Sequence, residues 1–97
     1  MCTHQKRYMF LVIDNREKDA WLLGYPMRLS PTELKIMNLI YDKRTATTNS
    51  MFAALSPDVT KSSIPVHINS INKKAMYIGG RKILIFRTGH YRFNSYM

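Results

Sequence analysis

Ser62-Ser-Ile-Pro-Val-His-Ile-Asn-Ser-Ile-Asn-Lys-Lys-Ala-Met-Tyr77 is the stretch whose reading decides the fold. Ile64, Ile68, Ile71 and Ala75 recur at i, i+4, i+7 and i+11, the spacing of one buried helix face. Ser62 and Ser63 are good N-cap residues. Pro65 fits only a first helical turn, where its missing N–H has no intrahelical partner. On the opposite side Val66, Ser70, Lys73 and Tyr77 line up, with His67, Asn69 and Lys74 beside them. That outer face holds amides, a hydroxyl, cations and a small apolar group, and no carboxylate. A plain solvated amphipathic helix would show the same stripe, so what flanks it has to decide.

Downstream, Gly79-Gly80 breaks the helix. Ile83–Phe86 and Tyr91–Phe93 read as strands joined by Arg87-Thr88-Gly89-His90, and Arg81, Lys82, Arg87 and Arg92 make this hairpin basic. Helix and hairpin together read as a recognition helix and its wing, an inventory suited to base edges and phosphates. Tyr77, Tyr91 and Phe93 read as core or wing packing rather than stacking platforms. His67 is evenly divided between a contact with DNA and a filler beside it.

Upstream, Ser30-Pro31-Thr32-Glu33 carries a helix start: an N-cap serine, proline at the first position and a glutamate closing a capping box. Leu34, Met37, Ile40 and Tyr41 form the inner face of a helix running to about Lys43, with Lys43-Arg44 suiting its C-terminal dipole. Thr45–Thr48 reads as a connector. Thr48 or Asn49 can cap a short helix through Leu55, with Met51, Phe52 and Leu55 inward. Nearer the N-terminus, Tyr8–Ile13, Ala20–Leu23 and Met27–Leu29 read as three short strands of an antiparallel sheet. Trp21 is a core or sheet-face aromatic. Residues 1–7 read as a free, flexible tail and residues 8–97 as one domain.

The 97 residues are 45% hydrophobic, enough for one modest core. The net charge of +9 is unevenly spread. Asp14, Glu17, Asp19, Glu33, Asp42 and Asp58 are all the acids, and none lies beyond position 58, where seven lysines and arginines follow. Such a one-signed surface favours a polyanionic partner. The single Cys2 excludes a disulfide within the chain and suits a reducing, cytoplasmic setting. No apolar run reaches the length of a membrane span, and no secretory signal is visible. Cys2 and His4 fall short of a metal site, and no cofactor motif is present. No His-Glu-x-x-His, Gly-rich phosphate loop, nucleophile elbow or carboxylate pair in the basic half points to an enzyme.

Three segments carry a family likeness. Leu29-Ser-Pro-Thr-Glu-Leu-Lys-Ile-Met-Asn-Leu-Ile40, Ile64-Pro-Val-His-Ile-Asn-Ser-Ile-Asn-Lys-Lys74 and Ile83-Leu-Ile-Phe-Arg-Thr-Gly-His-Tyr-Arg-Phe93 occur in order. They resemble the winged-helix DNA-binding (effector) domain of OmpR/PhoB-type bacterial response regulators of two-component systems, over roughly residues 9 to 94. The resemblance implies an α+β winged helix-turn-helix: an N-terminal antiparallel sheet, three helices and a C-terminal β-hairpin wing. It implies Val66 at base edges, at a thymine methyl, Arg87 reaching from the wing into the minor groove, and Lys73 and Lys74 on the phosphate side. Ser62-Ser63, at a helix N-terminus, offers backbone N–H groups to a phosphate. The chain departs from the family where arginines are usual, at Ser62, Ser70 and Asn72. The family's Trp after the second helix is absent and the loop before the recognition helix is short. In the family that loop touches RNA polymerase, and members pair weakly on tandem half-sites. Polymerase and a weak dimer on DNA are therefore further partners the likeness implies.

The leading expectation is sequence-specific binding of double-stranded DNA by a transcriptional regulator. Residues 62–77 would lie in the major groove and the wing, 81–93, at the minor groove. Ser62, Ser63, Val66, His67, Asn69, Ser70, Lys73, Lys74 and Arg87 are the candidate contacts, with Asn69 and Asn72 suited to adenine. The alternative is a winged-helix protein-interaction module whose DNA reading has weakened, motivated by the missing arginines.

Overall fold

A computed structural model describes residues 5–94. Four strands open the chain: β1 (Gln5–Tyr8), β2 (Leu11–Asp14), β3 (Asp19–Leu22) and β4 (Tyr25–Pro26), an antiparallel sheet in that order. Residues 5–7, expected in a free tail, are instead the outer strand of this sheet, while Cys2 and His4 lie outside the described residues. The run Tyr8–Ile13 is not one strand. Tyr8 pairs with Leu11, so Met9-Phe10 form a two-residue turn with Met9 at φ 52°. No Gly, Asn or Asp marks that turn locally; the burial of Leu11 and Ile13 fixes the register.

The next turn also lies earlier than expected. Leu22 pairs with Tyr25 around Leu23-Gly24, whose φ values of 53° and 83° are the positive pair a tight primed hairpin needs. Met27–Leu29 is therefore not a strand. Asp19 instead accepts from the backbone N–H groups of Arg28 (3.0 Å) and Leu29 (2.8 Å), fixing the chain before the first helix.

Helix α1 (Pro31–Lys43) starts as its residues dictate. The Ser30 hydroxyl accepts from Glu33 N–H at 3.2 Å, and Glu33 Oε1 accepts from Ser30 N–H at 2.7 Å. Leu34, Met37 and Ile40 are buried as read, Tyr41 is half-buried, and Ile36 joins the buried set. Thr45–Ala46, expected as a connector, forms strand β5. The following α2 (Thr48–Leu55) is capped by Thr47 with Ser50, one residue before the expected caps.

Helix α3 (Ser63–Gly79) buries Ile64, Ile68, Ile71 and Ala75, the face read from the spacing. Its entry differs. Ser62 makes no capping bond; Thr60 Oγ1 accepts from Ser63 N–H and Ser63 Oγ from Thr60 N–H, so the turn before the helix is closed by Thr60. Gly80 ends it in the left-handed region, φ 74°, donating to Met76 O at 2.8 Å. Strands β6 (Leu84–Arg87) and β7 (His90–Phe93) form the wing around Thr88-Gly89, with β5 added to make the order β5-β7-β6. Both turn residues have positive φ, 48° and 82°, again the geometry of a tight hairpin.

One core joins all of this. Leu11, Ile13 and Leu22 of the first sheet, Met37 and Ile40 of α1, Met51 of α2, Ile64 and Ile71 of α3, and Leu84 and Phe93 of the wing sheet belong to a single buried cluster. The architecture is the expected α+β winged helix, with a fourth N-terminal strand and a third wing-sheet strand.

Candidate nucleic-acid interface

Seen from its side chains, α3 has two polar flanks rather than one. Ser62 at its entry, and Val66, Asn69, Lys73 and Tyr77 along it, are exposed, following each other by three or four positions in one strip. Val66 is 65% exposed and Tyr77 94%, so Tyr77 does not pack in core or wing as the sequence suggested. No carboxylate occurs anywhere in α3.

Ser70 and Lys74, read as part of the same outer face, turn away from it. Both meet Glu33, the capping-box glutamate of α1, which is only 3% exposed. Lys74 Nζ lies 2.6 Å from Glu33 Oε1 and also donates to Arg28 O at 2.9 Å. Burial by itself would push the Glu33 carboxyl up. Hydrogen bonds from Lys74, Ser30 N–H and the Ser70 hydroxyl, with the Lys74 charge, outweigh it and hold the group below its ordinary value. These contacts tie α3 to the start of α1 and engage Lys74 inside the protein.

Asn72 is likewise not a reader. It is 6% exposed, and both ends of its amide bond to the start of the wing. Its Oδ1 accepts from the backbone N–H of Ile83 (3.1 Å) and Leu84 (2.9 Å), and its Nδ2 donates to Leu84 O at 2.9 Å. The adenine role suited to Asn72 is therefore corrected: the side chain pairs backbone groups at the start of β6 and sets the wing against the helix. Of the remaining candidates, Ser63 is spent on the entry turn and His67 is half-buried. Arg87, at the tip end of β6 beside the Thr88-Gly89 turn, is exposed.

Ser62, Val66, Asn69 and Lys73 on the helix and Arg87 on the wing are thus exposed, while Ser70, Lys74 and Asn72 tie α3 to α1 and to the start of the wing. Aromatic contacts stiffen the wing. Tyr91 lies 4.8 Å from Phe86 across the strands, and Phe93 packs 5.1 Å from Tyr8. Among the described residues no group of three or more His, Cys, Asp or Glu could hold a metal, and no helix is long and apolar enough to cross a membrane.

No protein-family model matches the sequence, and no curated protein matches it. Solved structures do match. The DNA-binding domain of the response regulator AdeR, in complex with an intercistronic region, aligns with TM-score 0.78 and 23% identity, over 92% of this chain and 97% of that one. The C-terminal effector domain of BfmR from Acinetobacter baumannii aligns with TM-score 0.73 and 22% identity, over 96% of this chain and 92% of that one. Both likenesses run nearly end to end, and at this identity they establish the fold.

Proposed function

We propose that this chain binds double-stranded DNA in a sequence-specific way as a regulator of transcription, with α3 in the major groove and the β6–β7 wing at the minor groove. The observation that carries the reading is the acid-free strip Val66–Asn69–Lys73 on a helix rigidly joined to an arginine-tipped wing through Asn72. Val66 supplies an apolar contact suited to a thymine methyl, and Asn69 an amide that suits adenine. Lys73 and Arg87 supply charge at the backbone and in a narrow minor groove. The likeness to a domain crystallised in complex with an intercistronic region supports DNA binding. No catalytic role is part of this reading. Polymerase contact through the short segment 56–62, and weak pairing on tandem half-sites, are parts of it that rest on the family resemblance alone.

A second reading, a protein-interaction module, has one observation in its favour: Val66 and Tyr77 on α3 and Phe86 on the wing are exposed large apolar groups. Salt separates the two. Binding to duplex DNA through four phosphate contacts weakens roughly a hundredfold between 50 and 200 mM salt. An interface of apolar side chains scarcely responds. Anisotropy of a labelled duplex across that range is the test, and salt-insensitive binding rejects the DNA reading.

A further inference from the structure

Away from α3, a cavity of about 420 Å³ opens between β1, the end of α1, β5 and β7. Arg7, Arg44 and Arg92 line it together with Tyr8, Tyr41 and Phe93, and no carboxylate is in its lining. A second cavity of about 480 Å³ adjoins it, sharing Thr45 and Arg92 and adding Arg87 and His90 from the wing. All three arginines are exposed, and with no carboxylate in the lining their charge is open to an anion.

The acids that might have neutralised them are engaged elsewhere. Asp42, next to the pocket wall in sequence, is held by Lys6 at 2.7 Å, Asp58 by Lys35 and Glu33 by Lys74. In each of these ion pairs the cation is a lysine. The guanidinium groups of Arg44 and Arg92 have no hydrogen-bond or ion-pair partner among the described residues, and that of Arg7 reaches only the neutral Gln5 side chain at 3.3 Å. The forked guanidinium is also the side chain that best matches the tetrahedral oxygens of a phosphate.

We propose that Arg7, Arg44 and Arg92 form an anion site that takes a phosphate group. Two sources supply that chemistry. The two cavities share Thr45 and Arg92, with Arg44 lining one and Arg87 the other, so the phosphate can belong to a DNA strand passing outward from the wing, a case that rests on the function proposed above. It can equally belong to a small phosphorylated compound held in the cavity, whose lining includes Tyr8 and Tyr41 beside the arginines; that case stands without the DNA reading.

The experiment compares the full chain with Arg44→Gln and with Arg7→Gln/Arg44→Gln, all positions exposed, with folding checked by thermal melting. Two probes are used: a long duplex against one ending at the wing, and inorganic pyrophosphate. A DNA source predicts about a tenfold loss per arginine on the long duplex alone, with the salt slope smaller by about one per removed contact. A small-molecule source predicts saturable pyrophosphate binding to the parent chain that the double variant loses, with DNA affinity unchanged. Equal affinity of all three proteins for every probe overturns the anion site while leaving the DNA reading intact. Loss of DNA binding in Arg87→Ala alone, with the pocket variants at parent level on every probe, likewise overturns it. If no protein binds either duplex, the function proposed above fails, and the pyrophosphate arm alone decides the site.

Discussion

Asn72 and Leu84 are joined at both backbone groups of the leucine: Leu84 N–H donates to Asn72 Oδ1 at 2.9 Å, and Asn72 Nδ2 donates to Leu84 O at 2.9 Å. One buried amide thereby does for the helix–wing junction what another strand would do for an edge. With Ile83 N–H on the same oxygen, the first turn of β6 cannot shift along α3 without orphaning buried donors. These bonds seat the start of the wing against α3.

Removing that amide should therefore cost both stability and geometry. Asn72→Ala leaves two backbone N–H groups unpaired, and we expect a loss on the order of 3 kcal/mol in urea unfolding. Asn72→Asp keeps the acceptor but loses the donor to Leu84 O, and should fall between the two. Duplex affinity should drop in both variants although neither removes an exposed side chain.

The Glu33–Lys74 contact makes stability depend on pH. Because the folded carboxyl sits below its ordinary value of 4.5, the unfolded chain takes up the proton first as pH falls. The ionised carboxylate's contribution is complete above the ordinary value and fades as pH falls through the folded one. Wild type should lose stability relative to Glu33→Gln below about pH 4.5, while the gap stays constant from pH 6 to 8. Thermal melts across pH 3 to 8 read it directly. A gap that does not move with pH would mean the carboxylate is not held as described.

At the helix entry, Thr60→Ala should destabilise by roughly 0.5 kcal/mol, the low end for a lost cap, because Ser63 N–H loses Thr60 Oγ1 but keeps Thr60 O at 3.1 Å. Ser62→Ala should do almost nothing to stability, since Ser62 makes no cap bond. Chemical denaturation of the two single variants separates the roles of Thr60 and Ser62.

On the open face, the account assigns different losses to different side chains. Asn69→Ala should relax preference at one base pair by roughly tenfold, whereas Lys73→Ala should weaken all duplexes alike and reduce the salt slope by about one. Lys74→Ala should alter stability more than DNA affinity, because its ammonium is engaged by Glu33. A Lys74 variant that melts normally but loses DNA binding would contradict the placement of that side chain.

Much of this was legible because the physics is local. The capping box at Ser30 and Glu33 and the apolar spacing of α3 depend on neighbours within a turn or two, and both stand as read. Hidden from the sequence was everything that depends on a partner far along the chain. Position 74 adjoins buried Ala75 and exposed Lys73, so a modest rotation of the helix decides whether it faces solvent or Glu33, and only α1 fixes that rotation. Asn72 looks like any polar helix residue until β6 is laid beside it. The Met9-Phe10 turn has no turn-forming residue, and β5 has only Thr45-Ala46 to announce it; both arise from pairing with other strands. The arginines absent at 70 and 72 also change meaning. In this chain those positions face Glu33 and the wing, so the smaller side chains serve the frame.

The most direct test of the central claim is selection from a random duplex pool by the full chain, with winners re-measured against Asn69→Ala and Arg87→Ala. The account predicts an enriched motif with an A·T-rich segment on the wing side. Asn69→Ala should lose preference at one position within it, and Arg87→Ala should lose the preference for the A·T-rich flank. A pool that emerges without an enriched motif, or a motif indifferent to both substitutions, would contradict it.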